Sequence, residues 1–182
     1  MEIRLAEEKD LEGITHLNQA NLKRNLLDTE KIKSQGYVSW EYSLPLLQKM
    51  HLQHPSVIAL TNERVVGYAL IAIKQVRREH PEFNLVLHKL DHITYQQKPL
   101  SEYNYYAMGQ VCIEETCRGQ GIFDKLFQAH KQYMQKQYDF VVTTISPTNL
   151  RSIKAHERIG FTAIHEFEDH FGSWVVVLWD WT

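Results

Sequence analysis

The sequence predicts an α/β fold, a mixed sheet with helices on both faces. Three observations predict it. The apolar pattern runs strand, helices, several strands, helix, strand, helix, two strands, an order that places helices against a central sheet. The apolar period switches between two and 3.6 residues at recognisable Gly, Pro and Asn signals. The chain has 182 residues, 43% hydrophobic and 23% charged, which suits one core and a single domain spanning 1–182 at roughly 150 residues per domain.

The elements follow in order. Glu2–Ala6 alternates polar and apolar as a strand does; Asp10 then reads as an N-cap for a helix carrying Leu11, Ile14 and Leu17. Asn21 to Gly36 is polar and lysine-rich, a helix tail and an excursion. Trp40, Tyr42, Leu44, Leu46, Leu47 and Met50 suggest a second helix, stopped by His54-Pro55. Ser56–Thr61, a turn at Asn62-Glu63 and Arg64–Ile73 read as a hairpin. A helix around Phe83–Leu90 sits within the irregular stretch Gln75–Ser101, and Tyr103–Ile113 returns to strand. After Gly119, the residues Ile122, Leu126, Ala129 and Tyr133 fall on one helical face. Phe140–Ile145 is a short strand. Asn149 caps a helix through Arg158, with Gly160 at its left-handed end. Phe161–Phe167 and Trp174–Trp181 close the chain as strands joined near Gly172.

Composition narrows the function. Twenty Lys plus Arg against 22 Asp plus Glu leave no electrostatic footprint for nucleic acid or an anionic membrane. Two cysteines, Cys112 and Cys117, are too few for a disulfide scaffold and read as free thiols. The N-terminus has no basic then apolar leader. The longest apolar runs, Val65–Ile73 and Trp174–Trp179, fall short of the roughly 20 residues that span a bilayer. The expectation is a soluble, cytoplasmic protein with no membrane or nucleic-acid partner.

The segment that carries chemistry is Val111-Cys112-Ile113-Glu114-Glu115-Thr116-Cys117-Arg118-Gly119-Gln120-Gly121-Ile122-Phe123. An apolar strand enters a turn with two glycines, and a helix begins at once. Amides at a helix start lack intrahelical partners, and the helix dipole adds positive potential. Glycines let phosphates approach the main chain, so the segment predicts a phosphate cradle. Its plain alternative is a tight strand–helix turn. It is neither a Walker loop, which needs a Gly-Lys-Ser/Thr end, nor a dinucleotide fingerprint, which needs a third glycine.

Together with Asn149 through Gly160-Phe161, and with the opening Ile3-Arg4 and Asp10-Leu11-Glu12-Gly13-Ile14, this segment resembles the GNAT superfamily of acyl-CoA-dependent N-acyltransferases. Arg118-x-x-Gly121 is similar to that family's pyrophosphate motif: Gln or Arg, two residues, Gly, one residue, then Gly or Ala. The resemblance covers 106–161 and the opening 1–17. It departs at Phe123, where Gly or Ala is usual, and at His156, where many members carry tyrosine.

The resemblance implies a mostly antiparallel sheet of six to seven strands. It also implies transfer of an acetyl group from acetyl-CoA, as cosubstrate and without metal, to a primary amine of a small molecule or peptide in a ternary complex. On that reading Val111, Cys112 and Ile113 hold the pantetheine chain through their backbone. Arg118, Gly119, Gln120, Gly121, Ile122, Phe123 and Asn149 surround the phosphates. His156 is the candidate acid for the leaving thiolate. Glu114 is the candidate base, on a strand face with Tyr106, Met108, Gln110 and Cys112 if no bulge intervenes. Tyr37, Trp40, Tyr42, Tyr103, Tyr105 and Tyr106 are candidates for the acceptor pocket.

Other readings stand beside these. The chain can be a CoA-binding sensor without turnover, or an interaction protein with an incidental glycine turn. His88 and His92 have metal-ligand spacing without an obvious third ligand. The three tryptophans of the terminal strand suit either a homodimer contact or burial in the chain's own sheet.

Overall fold

A computed structural model describes residues 1–26, 36–78 and 81–182, apart from the side chain of Glu82. The strands are β1 (Glu2–Leu5), β2 (Val57–Thr61), β3 (Arg64–Ala72), β4 (Thr94–Tyr95), β5 (Lys98–Pro99), β6 (Tyr105–Ile113), β7 (Phe140–Ile145), β8 (Thr162–Asp169) and β9 (Gly172–Asp180). The helices are α1 (Leu11–Asn21), α2 (Leu44–Gln53), α3 (Pro81–Asp91), α4 (Ile122–Met134) and α5 (Leu150–Ile159). Seven strands form one sheet in the order β1-β2-β3-β6-β7-β9-β8, and β4-β5 is a separate small ladder. Every pairing in the large sheet is antiparallel except β6 with β7.

Alternation along the strands sends side chains into two cores. Ile58, Leu60, Tyr68 and Leu70 pack with Ile14, Leu47 and Leu87 from α1, α2 and α3. Val57, Ala59, Val66 and Ala69 pack with Ile122, Leu126 and Phe127 of α4. The turn between β2 and β3 places Asn62 at φ 49° and Glu63 at φ 60°, the left-handed pair that a two-residue hairpin requires. Gly160 ends α5 at φ 108° in the left-handed region, as the sequence predicts.

Some expectations change. Asp10 does not cap α1 with its side chain; buried, it accepts bonds from Arg4 Nη1 at 2.7 Å and from the Glu7 N–H at 2.7 Å. The second helix begins at Leu44, because its first turn carries Pro45 and the preceding Ser43 is extended. Tyr133 is 41% exposed, so it leaves the buried face formed by Ile122, Leu126 and Ala129. The terminal strand β9 lies between β7 and β8, and its edges are filled by the chain's own sheet. Most of the excursion from Asn21 to Gly36 lies outside the described residues. Among those described, no helix is long and apolar enough to cross a membrane.

The feature that positions the site is a break in β6. Ala69 pairs with Val111 and Ile71 with Met108, two steps on β3 against three on β6. One extra residue is therefore accommodated at Gly109–Gln110, a β-bulge that reverses the alternation. Tyr106 and Met108 face the α4 core, whereas Cys112 faces the α1 core. The continuous face running from Tyr106 to Glu114 does not exist.

Candidate active site

On its other edge, β6 pairs with β7 only from Tyr105 to Ala107. Beyond that point the strands separate, with Met108 O accepting from Thr143 Oγ1 at 3.1 Å. The opening holds two clefts. One, about 100 Å³, runs between Gly109–Val111 and Thr143–Ser146 and is walled by Trp40, Phe83 and Trp174. The other, about 580 Å³, runs from Val111–Ile113 past Gly119 and Gly121 to α5. Tyr37, Val38, Val111, Asn149 and Ser152 line both, so the clefts adjoin at the strand opening. An unpaired strand edge offers N–H and C=O groups to an extended ligand.

A buried polar cluster fixes the bulge. Asn18 Nδ2 donates to Gln110 Oε1 at 2.7 Å and to Trp40 O at 3.0 Å, and Asn18 Oδ1 accepts from Tyr42 N–H at 3.0 Å. Tyr68 donates to Gln110 Oε1 at 2.5 Å, and the Tyr42 hydroxyl donates to Gly109 O at 3.1 Å. The segment carrying Trp40 is thereby tied to the strand opening. Asn18 is 0% exposed, so Asn18→Ala strands several buried groups. A loss of roughly 2–4 kcal/mol is expected, to be read as a lower urea midpoint with an unchanged slope.

The glycine turn is an open cradle. Gly119 has φ 76° and Gly121 φ 73°, and, chain neighbours aside, no atom of the described residues lies within 4 Å of where a Cβ would stand on either. Gly121 opens α4, so free amides of the first turn border open space. Arg118, Arg151, Lys154 and Arg158 line this cleft with one carboxylate, Asp124, which holds Arg158 at 2.5 Å. That excess of cations beside a helix N-terminus suits phosphates.

The remaining expected residues sort by what their side chains touch. The guanidinium of Arg118 donates to Ile113 O at 2.9 Å and to Asn21 Oδ1 at 2.7 Å, locking the turn to the end of α1. Gln120 turns back on Thr116 O at 3.2 Å, and Ile122 fills the core. Phe123 lies 4.6 Å from Phe127 and 5.1 Å from His156 between ring centroids, packed between α4 and α5. Asn149 Oδ1 accepts from the Ser152 N–H at 3.3 Å, and its amide donates to Tyr37 O at 3.3 Å. The Cys112 thiol is buried, and burial pushes it up to about 12.

The two catalytic candidates have different surroundings. Glu114 lines neither cleft; its carboxylate is paired with Arg64 at 2.5 Å. His156 does line the smaller cleft, but it is buried among Phe123, Phe127 and Phe161. Its Nδ1 lies 2.8 Å from Ser152 O, and a carbonyl only accepts, so Nδ1 carries the proton. Nε2 is a buried lone pair without a partner among the described residues. Burial pulls the imidazole down to about 4. The free protein thus holds His156 as a neutral ring in this tautomer, in the wall of the smaller cleft.

Of the six aromatic candidates, Tyr37 and Trp40 line the clefts. Tyr42, Tyr105 and Tyr106 are core residues, and Tyr103 packs on Phe140 at 5.0 Å. Phe171, from the β8–β9 turn, leans on Trp40 at 5.7 Å.

Residues 24–161 match the acetyltransferase (GNAT) family, a span that holds both motifs and the strand opening. The chain belongs to the GNAT acetyltransferase family. It is accordingly an acyl-CoA-dependent acetyltransferase, and the glycine cradle and its cations fit the phosphates of that cosubstrate.

Solved GNAT structures share the fold. The ribosomal-protein-S18-alanine N-acetyltransferase of Escherichia coli superposes with a TM-score of 0.63 at 11% identity, over 98% of this chain and 92% of that one. A ribosomal-protein-alanine N-acetyltransferase from Brucella melitensis gives 0.65 at 18% identity, and a chain of the NatC complex bound to Gag peptide and CoA gives 0.67 at 16%, each over 100% of both chains. No curated protein sequence matches. Among the described residues of this GNAT acetyltransferase, no cluster of three or more His, Cys, Asp or Glu is placed to hold a metal.

Proposed function

We propose that this GNAT enzyme moves an acetyl group from acetyl-CoA to a primary amine by direct attack in a ternary complex. The observation that carries the reading is the junction of the two clefts at Val111, within the opening that begins where β6 parts from β7 after Ala107. The larger cleft leads to the phosphate cradle and the smaller to the aromatic wall, so thioester and amine would meet at Val111, on the edge of β6 that β7 leaves open. Backbone N–H groups there would stabilise the tetrahedral oxyanion without reorganising. The Nε2 lone pair of His156 would accept a hydrogen bond from the amine and orient it. Its surplus proton would leave through water.

The smaller cleft favours an amine beside a compact apolar group, since Trp40, Phe83, Val86 and Trp174 wall it. The alanine N-acetyltransferases and the chain from the peptide-bound NatC complex among the similar structures support testing peptide N-termini alongside small amines. The test is calorimetric titration with acetyl-CoA, followed by CoA thiol release with hydroxylamine and with peptides bearing free N-termini. Micromolar binding and nucleophile-dependent release are expected. Absence of binding would overturn the reading.

A further inference from the structure

His88 and His92, the pair with metal-ligand spacing, fall at the end of α3 and border neither cleft of the strand opening. Phe83, Val86 and Leu90 of the same helix wall the smaller of those clefts, and a 3.6-residue period sends His88 and His92 to the opposite face. There the two imidazoles border a third cleft, of about 580 Å³, together with Lys89, Thr94, and His165 and Phe167 of β8.

The pair is arranged as ligands are. His92 Nδ1 lies 2.7 Å from His88 O; a carbonyl only accepts, so Nδ1 carries the proton and the lone pair is on Nε2. Metal-bound imidazoles commonly hold their second nitrogen this way, donating it to a carbonyl or carboxylate. The two ring centres are 4.7 Å apart. Imidazoles joined to one ion by bonds of about 2.0–2.1 Å have ring centres roughly 4.5 Å apart at a right angle and roughly 5.2 Å apart at the tetrahedral angle. The observed separation is nearer the right angle. The charge of Lys89 is neutralised beside the cleft, because its Nζ lies 3.3 Å from Asp169 Oδ2 and 4.6 Å from the centre of the Phe167 ring.

We propose that His88 and His92 form a two-imidazole site for a divalent metal ion of tetragonal or octahedral preference, the class of Ni²⁺ and Cu²⁺, on the outer face of α3. Each imidazole replaces one water of the aquo ion, and water keeps the other positions. Among the described residues no group of three or more His, Cys, Asp or Glu is placed to close the shell. Imidazoles at a right angle suit these ions, whereas structural zinc takes four protein ligands in a tetrahedron. The ion bridges two consecutive turns of α3, so binding to the folded chain stabilises it. The site is independent of the acetyl-transfer reading.

The test is calorimetric titration of the untagged protein with Ni²⁺ alone, chosen over Cu²⁺ because Cu²⁺ can oxidise the half-buried free thiol of Cys117. One ion per chain with a micromolar Kd is expected. His88→Ala and His92→Ala should each weaken binding at least about tenfold, since even outer-shell partners of a metal are worth that much. His165→Ala should leave the affinity unchanged. Ni²⁺ should raise the urea midpoint of the wild type and not that of the double variant, while urea unfolding without metal confirms that each variant folds. Wild-type binding no tighter than that of the double variant would overturn the proposal. So would a loss confined to His165→Ala, which would put the ion elsewhere in the cleft.

Discussion

Gly121→Val is expected to raise the Kd for acetyl-CoA by a factor of about 100 or more while the free protein stays folded. The backbone at Gly121 has φ 73° and ψ 11°, a left-handed conformation that costs an L-residue roughly 1–2 kcal/mol. Chain neighbours aside, no atom of the described residues lies within 4 Å of the added Cβ, so strain rather than collision is the expected cost to the unliganded protein. The new atoms instead occupy the mouth of the cradle. Each charge-assisted bond between a phosphate and a main-chain amide contributes about 1.5–3 kcal/mol. Losing two of them accounts for the expected weakening. Calorimetry with acetyl-CoA reads the affinity, and urea unfolding without ligand reads the strain. An unchanged Kd beside a small loss of stability would show that phosphates do not use this turn.

That prediction was already legible in the sequence, and the reason is physical. The run from Val111 to Phe123 is contiguous, and each of its signals acts over a few residues: β-apolar residues, then glycines with positive φ, then helical period. The Asn149 cap and the Gly160 terminus are equally local, as is the Asn62-Glu63 hairpin. What stayed hidden depends on partners far along the chain. The bulge at Gly109–Gln110 needs Asn18, Tyr42 and Tyr68, and Glu114 is neutralised by Arg64 from the β2–β3 hairpin. No periodicity within β6 announces either.

The cations Arg151, Lys154 and Arg158 were within reach, because spacings of three and four residues place them on one face of α5. Net charge conceals such a local cluster. Tyr37 was legible only as one aromatic among six; its contacts with Thr148 and Asn149 join segments more than a hundred residues apart. The apolar setting of His156 is likewise a property of packing, created by Phe123 and Phe127 of α4 and by Phe161 just before β8.

Packing of that kind makes stability depend on mild acid. His130 is 0% exposed, with Nε2 2.9 Å from Ala69 O and Nδ1 3.0 Å from the Tyr106 hydroxyl. The carbonyl takes the Nε2 proton, and Nδ1 accepts from tyrosine, so the fold uses a neutral ring. Burial pulls both His130 and His156 down to about 4 from an ordinary 6.5. In the unfolded chain both protonate as pH falls through 6.5; in the folded protein they resist until about pH 4. The unfolded state therefore binds more protons within this window, and stability must fall with falling pH.

Each histidine contributes a loss of about 3 kcal/mol by pH 4, and the two together about 6, a large share of the 5–15 kcal/mol typical of a domain. Asp10, Asp169 and Asp180, held below their ordinary 3.8, contribute stability that is lost only at still lower pH. Urea unfolding between pH 7 and 4.5 should thus show a slope approaching two protons. His130→Phe should halve that slope whatever it does to stability at pH 7, because it removes one titrating ring. A wild-type stability that stays flat across this window would mean that the two imidazoles are not held neutral by the core.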